Sequence, residues 1–326
     1  MICHPGLLGF YKPLLEMALS VATPFMLKLK ARMEDELGVS ESTSTQYLQT
    51  LYRLNNSKPF KNMGWIKDSA TVQETVAKLA DSTKAVYYRI LGTVLGLFPS
   101  YGKVRKYWMK LSEEVQPAPS AEKSEKQEEN WLSWSEVQHV ADALERDLSP
   151  VINAKTRSAL APEIYNKLLD FVVLSLYTKI APRRNKDYAV MYVVKKYNPE
   201  MNSDYNYYSR EDSKFVFNNY KTAFSFGQQI VDVPDDLKKL LDSYLRHHPL
   251  KALPAFPLLV HEDGRPIHPI NGITRILNRI FGKNVGSSML RHIYLTQKYG
   301  GAMTEREDDA EAMAHSMSTQ ISYIKR

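Results

Sequence analysis

The stretch Glu113–Asn130 reads EEVQPAPSAEKSEKQEEN, and it constrains the chain more than any other feature. It holds one valine and no aromatic residue. Such a segment cannot bury enough apolar surface to offset the entropy of ordering, so a flexible acidic linker is expected over 113–130. The 326 residues therefore divide into two units, each needing its own core. Hydrophobic residues at 44% and charged residues at 24% suit that division and exclude a mainly disordered or collagenous chain. No charge-free run exceeds 13 residues, short of the roughly 20 that cross a bilayer. Cys3 is the single cysteine, which excludes an internal disulfide framework or a thiolate zinc cluster and suits a reducing compartment such as cytosol or nucleus. Met1–Tyr11 lacks Lys and Arg, and the apolar stretch after it contains Glu16 and Pro24, unlike a secretory signal.

Net charge is +7, yet Glu113–Glu129 carries six Glu against two Lys. That segment accounts for −4, and +11 is left on the remainder. A chain so biased suits a polyanion, nucleic acid foremost. A basic enzyme with no such partner is the plain alternative.

The organisation expected is an extension over 1–40, a helical unit over 41–112, the linker, and a second unit over 131–326. In the first unit, 3.6-residue periodicity predicts helices over Ser44–Leu54, Ala70–Ala80, Ser82–Phe98 and Lys103–Leu111. The last turns Val104, Trp108 and Leu111 inward and Lys103, Arg105, Lys106 and Lys110 outward. With Lys84 and Arg89 on the preceding helix, these are the candidate DNA-backbone contacts; a solvated helix face is the plain reading. In the second unit, Ser133 and Glu136 form a capping-box pattern, and Pro162–Lys179 reads as a helix. Strands are expected over Tyr188–Lys196, Lys214–Tyr220 and Gly227–Val233. Helices return over Asp235–His247, Asn271–Phe281, Ser287–Tyr299 and Thr304–Ala314. The fold class expected is mainly α with a small antiparallel sheet. His247 and His248 read as a solvated helix end, and Tyr205, Tyr207 and Tyr208 as a polar loop.

Four segments carry chemistry: Pro182-Arg183-Arg184-Asn185-Lys186-Asp187 at a helix end, Tyr220-Lys221-Thr222 on a hairpin, Ser288-Met289-Leu290-Arg291-His292 on a helix, and a tail running from His315 to Tyr323. In order and spacing they resemble the tyrosine recombinase (phage-type integrase) family, most closely members from large DNA viruses of eukaryotes and related mobile elements. The resemblance implies a helical core-binding domain before an α-rich catalytic domain, and site-specific DNA cutting and rejoining through a 3′-phosphotyrosine. It makes Arg184, Lys221, Arg291, His315 and Tyr323 the catalytic set, with Asp187 as the acidic partner three residues after Arg184. Arg183 is the rival for the first arginine. Ser288 stands where the family has a histidine, and the His315–Tyr323 step is one residue shorter than usual. The implied partners are double-stranded DNA and further copies of the chain as a tetramer on it. No cofactor and no metal are implied, because the bond energy stays in the phosphotyrosine.

The chemistry asks for these types on its own terms. A phosphodiester is a poor, anionic electrophile. A tyrosine oxygen can store the cleaved bond, two guanidiniums can clamp the non-bridging oxygens, and a lysine can protonate the leaving 5′ oxygen. His292 follows Arg291 on a helix and points about 100° away. Two alternatives share the pattern: a type IB topoisomerase, and a catalytically weak DNA-binding relative, for which Ser288 speaks.

Overall fold

The computed structural model describes residues 21–117, 122–154, 159–268 and 271–312, with side chains in the last stretch through Met303 and at Glu305. The chain divides into two compact units, Met1–Ala121 and Glu122–Arg326.

The first unit is helical: α1 (Pro24–Leu37), α2 (Glu41–Leu54), α3 (Ser69–Val76), α4 (Asp81–Leu95) and α5 (Gly102–Val115). The Thr23 hydroxyl accepts the Met26 amide at 3.2 Å to start α1, and Gly38 at φ 63° ends it. Met26, Leu29 and Met33 of α1 are buried in the same core as Leu48, Leu51, Val72, Leu91, Val94 and Trp108. Thus α1, which the sequence placed in an extension, forms part of this unit's core. In α4 the buried positions are Ala85, Tyr88, Ile90, Leu91, Gly92, Val94 and Leu95, whereas Val86 is exposed.

The second unit opens with α6 (Glu125–Asn130), inside the acidic stretch. Ser124 and Gln127 form a capping box, and the buried Asn130 side chain accepts the Asn284 amide at 2.8 Å. With α5 running to Val115, helix reaches into both ends of that stretch. Then follow α7 (Trp134–Asn153), α8 (Pro162–Thr178), α9 (Asn185–Ala189), β1 (Met191–Val194), β2 (Asn206–Ser209), β3 (Lys214–Phe217), α10 (Ala223–Phe226), β4 (Gln229–Asp232), α11 (Asp235–His247), β5 (Ala255–Pro257), α12 (Gly272–Phe281) and α13 (Ser287–Ala312). The Ser133–Glu136 capping box starts α7. Helix α8 buries an unbroken run from Phe171 to Tyr177, so it lies at the centre of the core.

The small sheet has the order β4-β3-β2-β1-β5. It is mixed, which corrects the antiparallel expectation: β1 and β2 run parallel, with Met191 opposite Asn206, and the remaining pairs are antiparallel. The connection 195–205 explains the direction. At about 3.3 Å per extended residue it is long enough to return over a four-residue strand, so β2 starts where β1 starts. Turns at Asn198 and Asn202 fold it back, each side chain accepting the amide two residues on. Strand β2, read from the sequence as a polar loop, is buried along its whole length, Tyr207 and Tyr208 included. Helix α13 is one continuous element where two had been expected. Among the described residues, no helix is long and apolar enough to cross a membrane.

Candidate active site

Pro182 sets the site. It disfavours helix at Ala181, so α8 stops and residues 183–184 run on in an open segment. Arg184 is extended (φ −78°, ψ 151°) and becomes the N-cap residue of α9, its carbonyl accepting the Asp187 amide at 3.0 Å. The two adjacent arginines end in different surroundings.

Arg183 is tied down. Its Nε donates to Asp187 Oδ2 at 2.9 Å, its Nη1 donates to Gln229 Oε1 at 2.8 Å, and its guanidinium lies 3.8 Å from the Phe217 ring centroid. The Arg184 guanidinium has no hydrogen-bond or ion-pair partner among the described residues. The acidic partner expected for Arg184 therefore belongs to Arg183, one residue earlier. Asp187 is 2% exposed, and its Oδ1 is buried without a partner. Burial pushes its carboxyl upward, against the pull of the Arg183 and Arg184 charges.

Arg291 comes from the first turns of α13. Its Nη2 donates to Ser288 Oγ at 3.0 Å and its Nε to the Ser287 carbonyl at 3.4 Å. Burial, and then the like charge of Arg184, draw the Arg291 pKa down, while Asp187 and Tyr177 oppose that. Arg183, Arg184 and Arg291 line one cavity of about 210 Å³ with Pro182, Asp187, Tyr220, Thr222, Phe226 and Gln229. Three guanidiniums against one carboxylate leave two positive charges, so the cavity is built for an anion. Two of the guanidiniums can fork onto phosphate oxygens.

Lys221 lies in the β3–β4 connection beside this cavity's Tyr220 and Thr222. It is exposed, has no ion pair with a described residue, and does not line the cavity. Ser288 is exposed and holds Arg291; it offers no imidazole. His292 is exposed on α13. His315 and Tyr323 lie outside the described residues. The phenols on neighbouring elements are engaged elsewhere: Tyr177 donates to Asn185 Oδ1, Tyr188 to the Leu176 carbonyl and Tyr220 to the Gly227 carbonyl. Burial pushes the Tyr177 and Tyr188 phenols upward, so neither is poised to ionise.

Gln229, Phe217 and Asn185 escaped the sequence reading. Gln229 and Phe217 hold Arg183. Asn185 bridges from Tyr177 to Thr274 Oγ1 at 2.8 Å and so ties α9 to α12. No local pattern marks them, because each acts through a residue distant in sequence.

The other basic candidates lie in the first unit. Lys103, Arg105, Lys106 and Lys110 are exposed on α5, and Arg105, Lys106 and Lys110 line one shallow groove with Met109 and Glu113. Lys110 pairs with Glu114 at 3.3 Å, Lys84 with Asp81 at 2.9 Å, and Arg89 donates to Gln116 at 3.0 Å. Among the described residues, Lys103, Arg105 and Lys106 are the ones of the six without such a partner. Among the described residues, no group of three or more His, Cys, Asp or Glu could hold a metal ion. His248, read from the sequence as solvated, is buried; its Nδ1 accepts the Leu250 amide at 3.2 Å, and burial pulls its pKa down to about 4.

Compared with known proteins, the chain matches no family model, no curated protein and no solved structure.

Proposed function

We propose that the chain is a DNA breaking-and-rejoining enzyme of the tyrosine recombinase kind. What supports the reading most is one cavity lined by Arg183, Arg184 and Arg291, from segments more than a hundred residues apart in sequence, with a net charge that asks for an anion. Arg184 and Arg291 clamp the non-bridging oxygens of a scissile phosphate, and Arg183 with Asp187 fixes the floor beneath them. Tyr323 supplies the nucleophile: its oxygen bonds to phosphorus, its proton passes to a base, and the 5′ oxygen leaves with a proton from Lys221. His315 hydrogen-bonds the phosphate. A second 5′ hydroxyl reverses the step and frees the tyrosine, so no bond energy is lost. Lys103, Arg105 and Lys106 of the first unit add phosphate contacts to double-stranded DNA, and exchange of strands takes several copies of the chain.

The test is a covalent trap. The protein is incubated with a nicked or gapped random duplex library, so that cleavage sheds a short fragment and cannot reverse, and is then denatured. The expected result is a DNA–protein adduct that is lost in Tyr323→Phe. An adduct that survives Tyr323→Phe removes that residue as nucleophile. Supercoil relaxation by a monomer points to a type IB topoisomerase. Tight binding to one sequence without any adduct points to a non-catalytic relative, the reading that Ser288 supports.

A further inference from the structure

The β3–β4 connection ends in two exposed aromatic rings. Phe224 is 105% exposed and Phe226 67%, within the four-residue helix α10. Leaving a phenylalanine in water forgoes about 2–3 kcal/mol of burial, and the two rings sit on one tip. The tip is held firmly. The Tyr220 hydroxyl donates to the Gly227 carbonyl at 2.5 Å, the Phe226 amide to the Thr222 carbonyl at 3.2 Å and the Gly227 amide to the Ala223 carbonyl at 2.8 Å. Gly227 closes it at φ 64° and ψ −163°, a conformation open in practice to glycine alone.

The tip also belongs to the cationic cavity. Phe226 lines that cavity with Arg183, Arg184 and Arg291, and Lys221 precedes the tip by two residues. Whatever covers Phe224 must present negative charge on one side and a flat apolar face beside it. A nucleotide carries both in one unit. A second copy of the chain, itself at +7, meets the charge requirement poorly.

We propose that Phe224 is a stacking platform for a nucleobase next to the phosphate held by Arg184 and Arg291. This rests on the reading of the cavity as a DNA phosphate site. The ring inserts against an unstacked base, as apolar wedges do in duplex DNA, and a nicked or gapped duplex gives up that base more cheaply than an intact one.

The experiment uses the full chain as wild type, Phe224→Ala, Phe224→Tyr and Arg184→Ala. The probes are intact and gapped random-sequence duplexes with 2-aminopurine beside the gap, and inorganic phosphate alone. Phe224→Ala should weaken binding to the gapped duplex about tenfold and abolish the change in 2-aminopurine emission. It should leave phosphate affinity and the salt dependence of DNA binding unchanged, and Phe224→Tyr should restore both DNA readouts. If Phe224→Ala binds DNA as wild type does while Arg184→Ala is weakened, the platform is wrong and the phosphate cavity stands. If neither variant changes DNA or phosphate binding, the cavity reading itself has failed. If Phe224→Ala lowers only the sedimentation-derived mass of the free chain, the tip is a self-contact and the proposal falls.

Discussion

Arg183 stacks on Phe217 across the second unit, its guanidinium carbon 3.8 Å from the ring centroid, with Asp187 holding its edge at 2.9 Å. The contact joins the open segment after α8 to β3, and Arg184 is left without a hydrogen-bond or ion-pair partner among the described residues. The two adjacent arginines thus differ in their surroundings: Arg183 is fixed by Asp187, Gln229 and Phe217, while Arg184 lines the same cavity without a partner among the described residues.

That division predicts opposite phenotypes. Arg183→Ala leaves Asp187 buried without its partner and should lower unfolding stability by about 3 kcal/mol. Arg184→Ala, which strands no partner among the described residues, should change stability by less than about 0.5 kcal/mol. Calorimetric titration with inorganic phosphate should show Arg184→Ala losing binding at least tenfold. Equal destabilisation by the two substitutions would refute the division.

Ser288 accepts from Arg291 and is exposed, so Ser288→Ala should leave the melting temperature unchanged and loosen only the orientation of Arg291. Phosphate affinity should fall about threefold. Ser288→His places an imidazole where the resembled family has one. It should raise the rate of adduct formation at least tenfold, since a general base contributes roughly 10²–10⁴. A rate equal to wild type means that another group already deprotonates the nucleophile.

On α5, Lys103, Arg105 and Lys106 have no ion-pair partner among the described residues. Their joint replacement by glutamine should lower the slope of log affinity for duplex DNA against log salt by up to about 3, roughly 0.9 per lost phosphate contact. The sequence of the duplex should not matter. An unchanged slope assigns this face to solvent.

His248 gives a pH signature. Its folded pKa of about 4 lies below the unfolded value of 6.5. Above about pH 6.5 both states are neutral and the term is flat. As pH falls from 6.5 towards 4, the unfolded chain takes up a proton that the folded chain refuses, and stability drops by about 3 kcal/mol across that window. His248→Asn, which keeps an acceptor for the Leu250 amide, should flatten the difference in denaturant midpoints between pH 7 and pH 4.5.

Helix starts and helix faces were legible in the sequence because they rest on local rules. Ser133 and Glu136 announced α7, and Val104, Trp108 and Leu111 announced the inward face of α5. Strand β2 was not legible: Asn206 and Ser209 are polar, and its four residues are buried by neighbours that periodicity cannot see. His248 was hidden for a similar reason, since Phe256 packs on it from β5. At the site, the sequence paired Asp187 with Arg184, whereas its ion pair is with Arg183. Counting residues gives spacing along the chain, whereas the pairing was decided by which arginine could lie on Phe217.

The buried side chain of Asn206 has all four of its hydrogen-bonding positions filled. Its amide donates to the carbonyls of Asp187 and Asn219, and its oxygen accepts the amides of Asn218 and Asn219. One side chain therefore sets the distance from the arginine segment to the root of the β3–β4 connection. Beyond that root, Phe224 projects into solvent, whereas Thr222 and Phe226 line the cavity with the arginines. The arrangement separates what must stay fixed from what can change: a substitution at Phe224 can leave the arginine segment where Asn206 holds it, whereas one at Asn206 cannot.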